Sequence, residues 1–257
     1  MKQIGVTETY DPCFVPDLES KLLEANVIIT KRLTPSLKEI LLRNKHRCLL
    51  HYTITGNGGT PLEPKVDLWL NEMDKLVSLL ESGWPPDQLV LRVDPIVPFL
   101  KYSVANLYYV LHHYRLLISD EKLWTSEDPP RVRISMIDMY PHVRKRFKAV
   151  GIEVPYSTFH APQEYFNKIE ELLSEFKYNF IFESCAESRF SDEFIFKTGC
   201  VSAFDISMMG QTDTDYELKL NGTRKGCTCL VKKQILGVKP SRCPNRCLYC
   251  YWKEDNE

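Results

Sequence analysis

The strongest constraint on the fold is a phrase that repeats from Ile4 to Ile235. A short run rich in β-branched residues is followed by a polar ending, often a proline, and then an amphipathic helix. Ile4–Thr9, Val27–Lys31, Arg47–Ile54, Leu89–Val93, Val132–Ile137, Asn179–Glu183 and Cys229–Ile235 read as strands. Between them Asp17–Ala25 (with Asp17 as N-cap), Ser36–Asn44, Val66–Glu81, Ser103–Ile118, Pro141–Val150 and Pro162–Phe176 read as helices. Strands alternating with helices of this length predict parallel βαβ units. Six or seven such units without a change of composition predict one α/β domain, a partial (β/α)6-type TIM barrel. Residues 1–184 supply the βα repeats. Residues 185–257 form a cysteine-rich part carrying the last strand and a terminal loop.

The chain has 257 residues, a formal net charge of −1, 44% hydrophobic and 26% charged residues, which suits a single compact core. No apolar run is long enough to span a bilayer, and the start of the sequence lacks a charged leader with a hydrophobic stretch. Nine cysteines without a secretory signal point to metal or redox chemistry in a reducing cytoplasm, not to disulfides. The near-neutral balance gives no case for bulk nucleic-acid binding, although local patches stay open. Polar residues gather at strand ends: Thr7, Glu8 and Thr9; Thr30 and Lys31; Thr53 and Thr55; Arg92 and Asp94; Ser135 and Asp138; Glu183 and Glu187. Parallel α/β barrels place active sites on that face. Strand ends are also near solvent, which accounts for any one of these residues alone.

The stretch Cys243-Pro-Asn-Arg-Cys247-Leu-Tyr-Cys250 spaces three thiols as C-x3-C-x2-C, with Tyr249 before the last. Iron–sulfur clusters are normally held by four cysteines, so three on one loop suggest an iron left open to another ligand. This loop resembles the cluster loop of the radical S-adenosylmethionine enzymes. The resemblance widens to the spore photoproduct lyase and DNA repair photolyase-like group through Thr9–Pro12, Ile29–Lys31, Thr53–Thr55 with Leu62–Pro64, and Pro95–Pro98. There the cysteine loop precedes these segments; here it follows them, which implies a circular permutation with the first barrel strand supplied by the end of the chain. The sequence is closer still to an uncharacterised bacterial family with a C-terminal cysteine cluster, through Arg92–Pro95, Ile134–Tyr140, Cys185–Glu187, Gly199–Cys200, Cys227–Cys229 and Cys243–Tyr251.

The resemblance implies a [4Fe-4S] cluster on Cys243, Cys247 and Cys250 that cleaves S-adenosylmethionine reductively to a 5′-deoxyadenosyl radical for hydrogen abstraction. It implies an electron donor such as flavodoxin or ferredoxin, and a nucleobase or nucleic acid among the candidate substrates, with a peptide or small metabolite open. No membrane is implied. Thr9, Thr53, Thr55, Arg92, Asp138 and Tyr249 are the candidate cofactor-binding residues. Arg92 suits the cofactor's carboxylate, because a guanidinium pairs bidentately with carboxylates; it can equally form an ion pair with Asp94, two residues along the same strand face. Glu8, Glu63, Asp138 and Glu187 are candidates for amine or hydroxyl contacts.

Cys185, Cys200, Cys227 and Cys229 form a second set, enough for an auxiliary iron–sulfur cluster or a zinc site. Buried free cysteines explain Cys185 and Cys200 singly, but not the Cys227-x-Cys229 pair. Cys13 and Cys48 read as core or loop residues. A rival function uses Cys227-x-Cys229, seventeen residues, then Cys247-x2-Cys250 as a zinc-ribbon spacing. That makes the chain a non-enzymatic zinc-binding module acting on a partner or nucleic acid, and leaves Cys243 and Tyr249 unused. Gly56-Asn57-Gly58-Gly59 lacks phosphate-loop spacing. Arg144, Lys145, Arg146 and Lys148 with His142 make a basic helix that suits either phosphate or plain solvation. His112 and His113 read as structural.

Overall fold

The computed structural model describes residues 2–121, 129–185, 187–211, 229, 232–237 and 243–252. Eight strands make one sheet: β1 (Ile4–Val6), β2 (Asn26–Thr30), β3 (Cys48–Thr53), β4 (Leu89–Ile96), β5 (Arg131–Met136), β6 (Ile181–Cys185), β7 (Ile195–Thr198) and β8 (Lys233–Ile235). Their order is β7-β6-β5-β4-β3-β2-β1-β8, and every pairing is parallel. The helices are α1 (Leu18–Lys21), α2 (Pro35–Arg43), α3 (Trp69–Glu81), α4 (Lys101–Glu121), α5 (Pro141–Ala149), α6 (Gln163–Ser174) and α7 (Ala203–Ser207).

Period-two alternation sorts each strand between two faces. Ile28, Leu50, Tyr52, Leu91, Val132, Ile134 and Phe182 join Leu37, Met73, Leu111, Phe147, Phe166 and Leu173 of α2 to α6 in the larger core. Ile4, Val6, Val27, Leu49 and Val90 look the other way and are covered by Val201, Ile206 and Met209 from the segment after β7. Sequential strand order with the long helices on one face is single winding, unlike a doubly wound sheet whose order reverses at a switch point. Residues that flank the two edge strands nevertheless meet. Cys200, two residues past β7, donates its N–H to the sulfur of Cys229, which precedes β8, at 3.1 Å.

Local chemistry explains most boundaries. Thr34 caps α2 through its hydroxyl, which accepts from Leu37 N–H at 3.2 Å, and Pro35 occupies the first turn. Asp17, expected to cap a helix reaching Ala25, instead sits in the left-handed region (φ 52°) with no side-chain cap bond, and α1 runs only four residues. Ile4–Thr9 pairs only as far as Val6, and the last strand begins at Lys233, not Cys229. Two elements lie outside the sequence expectation. β7 is a short edge strand with Phe196 exposed, so it lacks a two-sided apolar run. α7 is five residues long and is set by a capping box between Ser202 and Asp205. No described helix is long and apolar enough to cross a membrane.

Candidate functional site

β8 pairs with β1 in the register Ile4–Lys233, Gly5–Gln234 and Val6–Ile235, which brings the cysteine loop to the C-terminal ends of the first strands. The loop is built from two turns, Arg246 N–H to Cys243 carbonyl at 3.0 Å and Cys250 N–H to Cys247 carbonyl at 3.2 Å. Arg246 takes a positive φ of 50°, unusual for a residue other than glycine. Three segments hold it: those after β1 and β3, and α5. Leu248 N–H donates to the Leu62 carbonyl at 2.8 Å. The Asn245 amide donates to Asp11 at 2.8 Å, and the Tyr249 hydroxyl donates to Glu63. From α5, Arg146 donates to the carbonyls of Cys250 and Trp252, both at 2.7 Å, and His142 Nε2 donates to the Tyr251 carbonyl at 2.8 Å. The basic helix is therefore a clamp on the C-terminal segment. Arg144 likewise spends its guanidinium on the Tyr156 and Thr158 carbonyls.

Glu63 is the hub of the mouth. It is buried, accepts from Lys31 Nζ at 2.9 Å and from the Thr55 hydroxyl at 2.8 Å, and takes the Tyr249 hydroxyl. Lys31 also donates to the Asp94 carbonyl at 3.1 Å and lies over the Tyr249 ring, 5.3 Å from its centre. Burial alone lowers the Lys31 ammonium, but Glu63 and Cys247 outweigh it and hold the group protonated above its usual range. Burial also pushes the Cys247 thiol up, against the pull of Lys31. Arg92 is 6% exposed and pairs with Asp94, while its Nε and Nη1 have no partner among the described residues. A buried fork with two unused donors fits an anionic ligand group.

Below the mouth lies a charge network that no sequence pattern announced. Arg131 contacts both Glu183 oxygens (3.0 and 3.1 Å) and Asp205 (2.6 Å). Arg133 reaches Glu183 at 2.8 Å, Asp205 at 3.1 Å and the Cys200 carbonyl at 3.0 Å. Burial works against the charge on Asp205, but Arg133, His51 and Arg131 prevail and keep its carboxyl well below the usual range. His51 lies 3.7 Å from Asp205; burial first, and Arg133 next, lower it to about 3, so it is neutral. Two arginines facing two carboxylates balance within the protein interior, as buried ions must. Alternation along β5 put both arginines on one face, a clue that would have served with the partners in view.

The second cysteine set converges in part. The sulfurs of Cys185, Cys200 and Cys229 lie within 4.8 Å of one another, an arrangement that can hold a metal ion. The Cys185 and Cys200 sulfurs approach to 2.6 Å. Cys227 lies outside the described residues. Cys243, Cys247 and Cys250 do not form such a tight group, and Cys229 groups with Cys185 and Cys200, not with the ribbon partners Cys247 and Cys250. Arg92 pairs with Asp94, and the Asp94 carbonyl meets Lys31 beside Cys247.

The remaining predicted residues divide. Thr53 is buried and aligned with Arg92 across β3 and β4, Thr55 serves Glu63, and Thr9 is half-buried just past β1. Asp138 is bonded to His160 at 2.9 Å, Glu8 to Lys233 at 2.9 and 3.0 Å, and Glu187 to the Met136 N–H at 3.1 Å. Gly58 presses against the Asp67 carbonyl, where a Cβ would sit 1.7 Å away, so the glycine loop is required by close packing. Cys48 is buried in the core and Cys13 in a half-buried turn.

The fold and site define a parallel α/β protein whose strand ends carry two thiol groups around buried cations. The chain belongs to the family described as Domain of unknown function (DUF1848), whose model matches residues 9–252. That span encloses both sets of cysteines, Glu63 and Arg92. No curated protein matches the chain.

Proposed function

We propose that this chain is a radical S-adenosylmethionine enzyme on an opened, circularly permuted barrel, with Cys243, Cys247 and Cys250 as the ligands of a [4Fe-4S] cluster. The observation that carries the reading is the parallel pairing of β8 with β1, which brings the cysteine loop to the strand ends where barrels keep their active sites. The meeting of Cys200 and Cys229 from the two sheet edges supports an opened barrel.

The residues fit the group. A four-iron cluster would bind each thiol at a different iron, and the loop offers its three thiols on two successive turns. Held by Cys243, Cys247 and Cys250, such a cluster would supply the one-electron reducing power for cleaving S-adenosylmethionine, while the protein binds, orients and excludes water. Lys31 offsets thiolate charge at Cys247. Arg92 offers its two free donors to the cofactor's carboxylate, with Thr53 beside it, while Asp94 keeps the fork oriented. Leu62 and Tyr249 close the loop against the mouth and exclude water. Exposed Tyr251 and Trp252 mark the side where an electron donor such as flavodoxin or ferredoxin would approach. The substrate suggested by resemblance is a nucleobase or nucleic acid.

The test is anaerobic reconstitution with iron and sulfide, then incubation with dithionite and S-adenosylmethionine. Wild type and Cys13→Ala should release 5′-deoxyadenosine slowly without substrate, and Cys247→Ala should release none. A Cys247→Ala variant as fast as wild type, or stoichiometric zinc without iron, would refute the reading.

A further inference from the structure

We propose that Cys185, Cys200 and Cys229 bind one thiophilic divalent ion, zinc in the first instance, at a centre separate from the cysteine loop, where it clips together the two edges of the sheet. Three chain segments bring these sulfurs together: the end of β6, the turn after β7, and the stretch before β8. Free cysteine is often buried as a small apolar residue, but packing gives no reason for three sulfurs from three segments to converge. Tetrahedral zinc at about 2.3 Å per sulfur sets neighbouring sulfurs about 3.8 Å apart, so Cys185 and Cys200, at 2.6 Å, would open to that spacing within a group whose sulfurs all lie inside 4.8 Å of one another. Thiolates of a four-iron cluster each bind a different iron and stand further apart.

Outer contacts hold the ligands in place: the Cys200 N–H donates to Cys229 Sγ, and Arg133 donates to the Cys200 carbonyl. Such contacts orient metal ligands, and soft sulfur ligands select zinc over hard cations. A disulfide between Cys185 and Cys200 would leave Cys229 and its N–H bond without a purpose. β7 and β8 are the two ends of the strand order, so an ion on these residues joins edges that share no strand pairing among the described residues.

The experiment uses the full chain with the loop thiols removed, Cys243→Ser/Cys247→Ala/Cys250→Ser, so that the cluster proposal and this one fail separately. Titration of the reduced, metal-free protein with Co2+ should saturate at one equivalent with thiolate-to-cobalt charge-transfer absorption, and Zn2+ should displace it. Adding Cys200→Ser or Cys229→Ser should abolish that absorption while Cys48→Ser leaves it, with circular dichroism checking the fold of each. The wild-type chain should show the same Zn2+-displaceable band even if a serine variant unfolds. Absence of the band in the loop-thiol variant and in wild type overturns the proposal. So does an iron–sulfide chromophore lost with Cys200→Ser, or a Cys185–Cys200 disulfide found in a chain that takes up no metal after reduction.

Discussion

The Asn245 side chain donates to the Asp11 carboxylate at 2.8 Å across 234 residues of sequence. Asp11 also accepts from the Thr30 hydroxyl at 2.8 Å and the Lys31 N–H at 2.9 Å, so one buried carboxylate fastens the ends of β1 and β2 to the cysteine loop. The loop is thus an integral part of the mouth. Hydrogen bonds to a charged acceptor contribute about 1.5–3 kcal/mol each.

Removing that acceptor should free the loop. Asp11→Ala is expected to lower stability by at least about 3 kcal/mol, since several donors lose one charged partner. Asn245→Ala, which removes one donor, should cost about half as much. Urea midpoints at constant slope measure both. Equal, negligible losses would show that the loop is held by other contacts.

The buried network makes a second stability prediction. Asp205 faces both Arg131 and Arg133 and also closes the capping box of α7. Asp205→Asn keeps the shape but leaves two guanidinium groups with one carboxylate. Breaking a buried pair in this way costs about 3–5 kcal/mol. A loss under about 1 kcal/mol would mean that water or Glu183 alone satisfies the arginines.

How much of this was legible in sequence depends on the range of the signal. β2 to β6 follow from β-branched runs bounded by polar and proline residues, and α2 to α6 from apolar spacing, because both patterns are local. The cysteine loop was visible because its ligands are seven residues apart end to end. The convergence of Cys185, Cys200 and Cys229 was only half visible: the residues could be grouped by type, but which sulfurs meet depends on the sheet bringing its edges together. Asp11, Asn245 and the Arg131, Arg133, Glu183, Asp205 set carry no spacing rule at all. A buried ion pair reads in sequence like any two surface charges, so β5 was legible as a strand while its arginines drew no reading of their own.

Acid should weaken the protein through His51. The groups facing it are Arg92 from the neighbouring β4, Arg133 from β5 and Asp205 from α7. Its folded value is lowered to about 3, against about 6.5 unfolded. Between those values the unfolded chain binds a proton that the folded chain does not, so stability rises with pH and is lost as pH falls below about 6.5. The slope approaches about 1.4 kcal/mol per pH unit. His51→Gln should remove this component, so the wild-type minus variant difference in urea stability should shrink steadily from pH 6 to 4.5. A difference independent of pH over that window would mean His51 is not held neutral.

The last prediction separates cofactor binding from cluster assembly. Arg92 is buried, its Nη2 is held by Asp94, and Nε and Nη1 have no partner among the described residues. Lysine at this position keeps a positive charge near Asp94 but loses the planar pair of donors that matches a carboxylate. Arg92→Lys should therefore assemble iron and sulfide on Cys243, Cys247 and Cys250 as wild type does. Its affinity for S-adenosylmethionine should fall by about tenfold to a hundredfold, the equivalent of about 1.5–3 kcal/mol for a lost bond to a charged group. Anaerobic equilibrium dialysis with labelled S-adenosylmethionine reads the affinity, and iron analysis of the same samples reads the cluster. Affinity unchanged within twofold would remove Arg92 from the cofactor site, and a parallel loss of iron would make it a support of the loop instead.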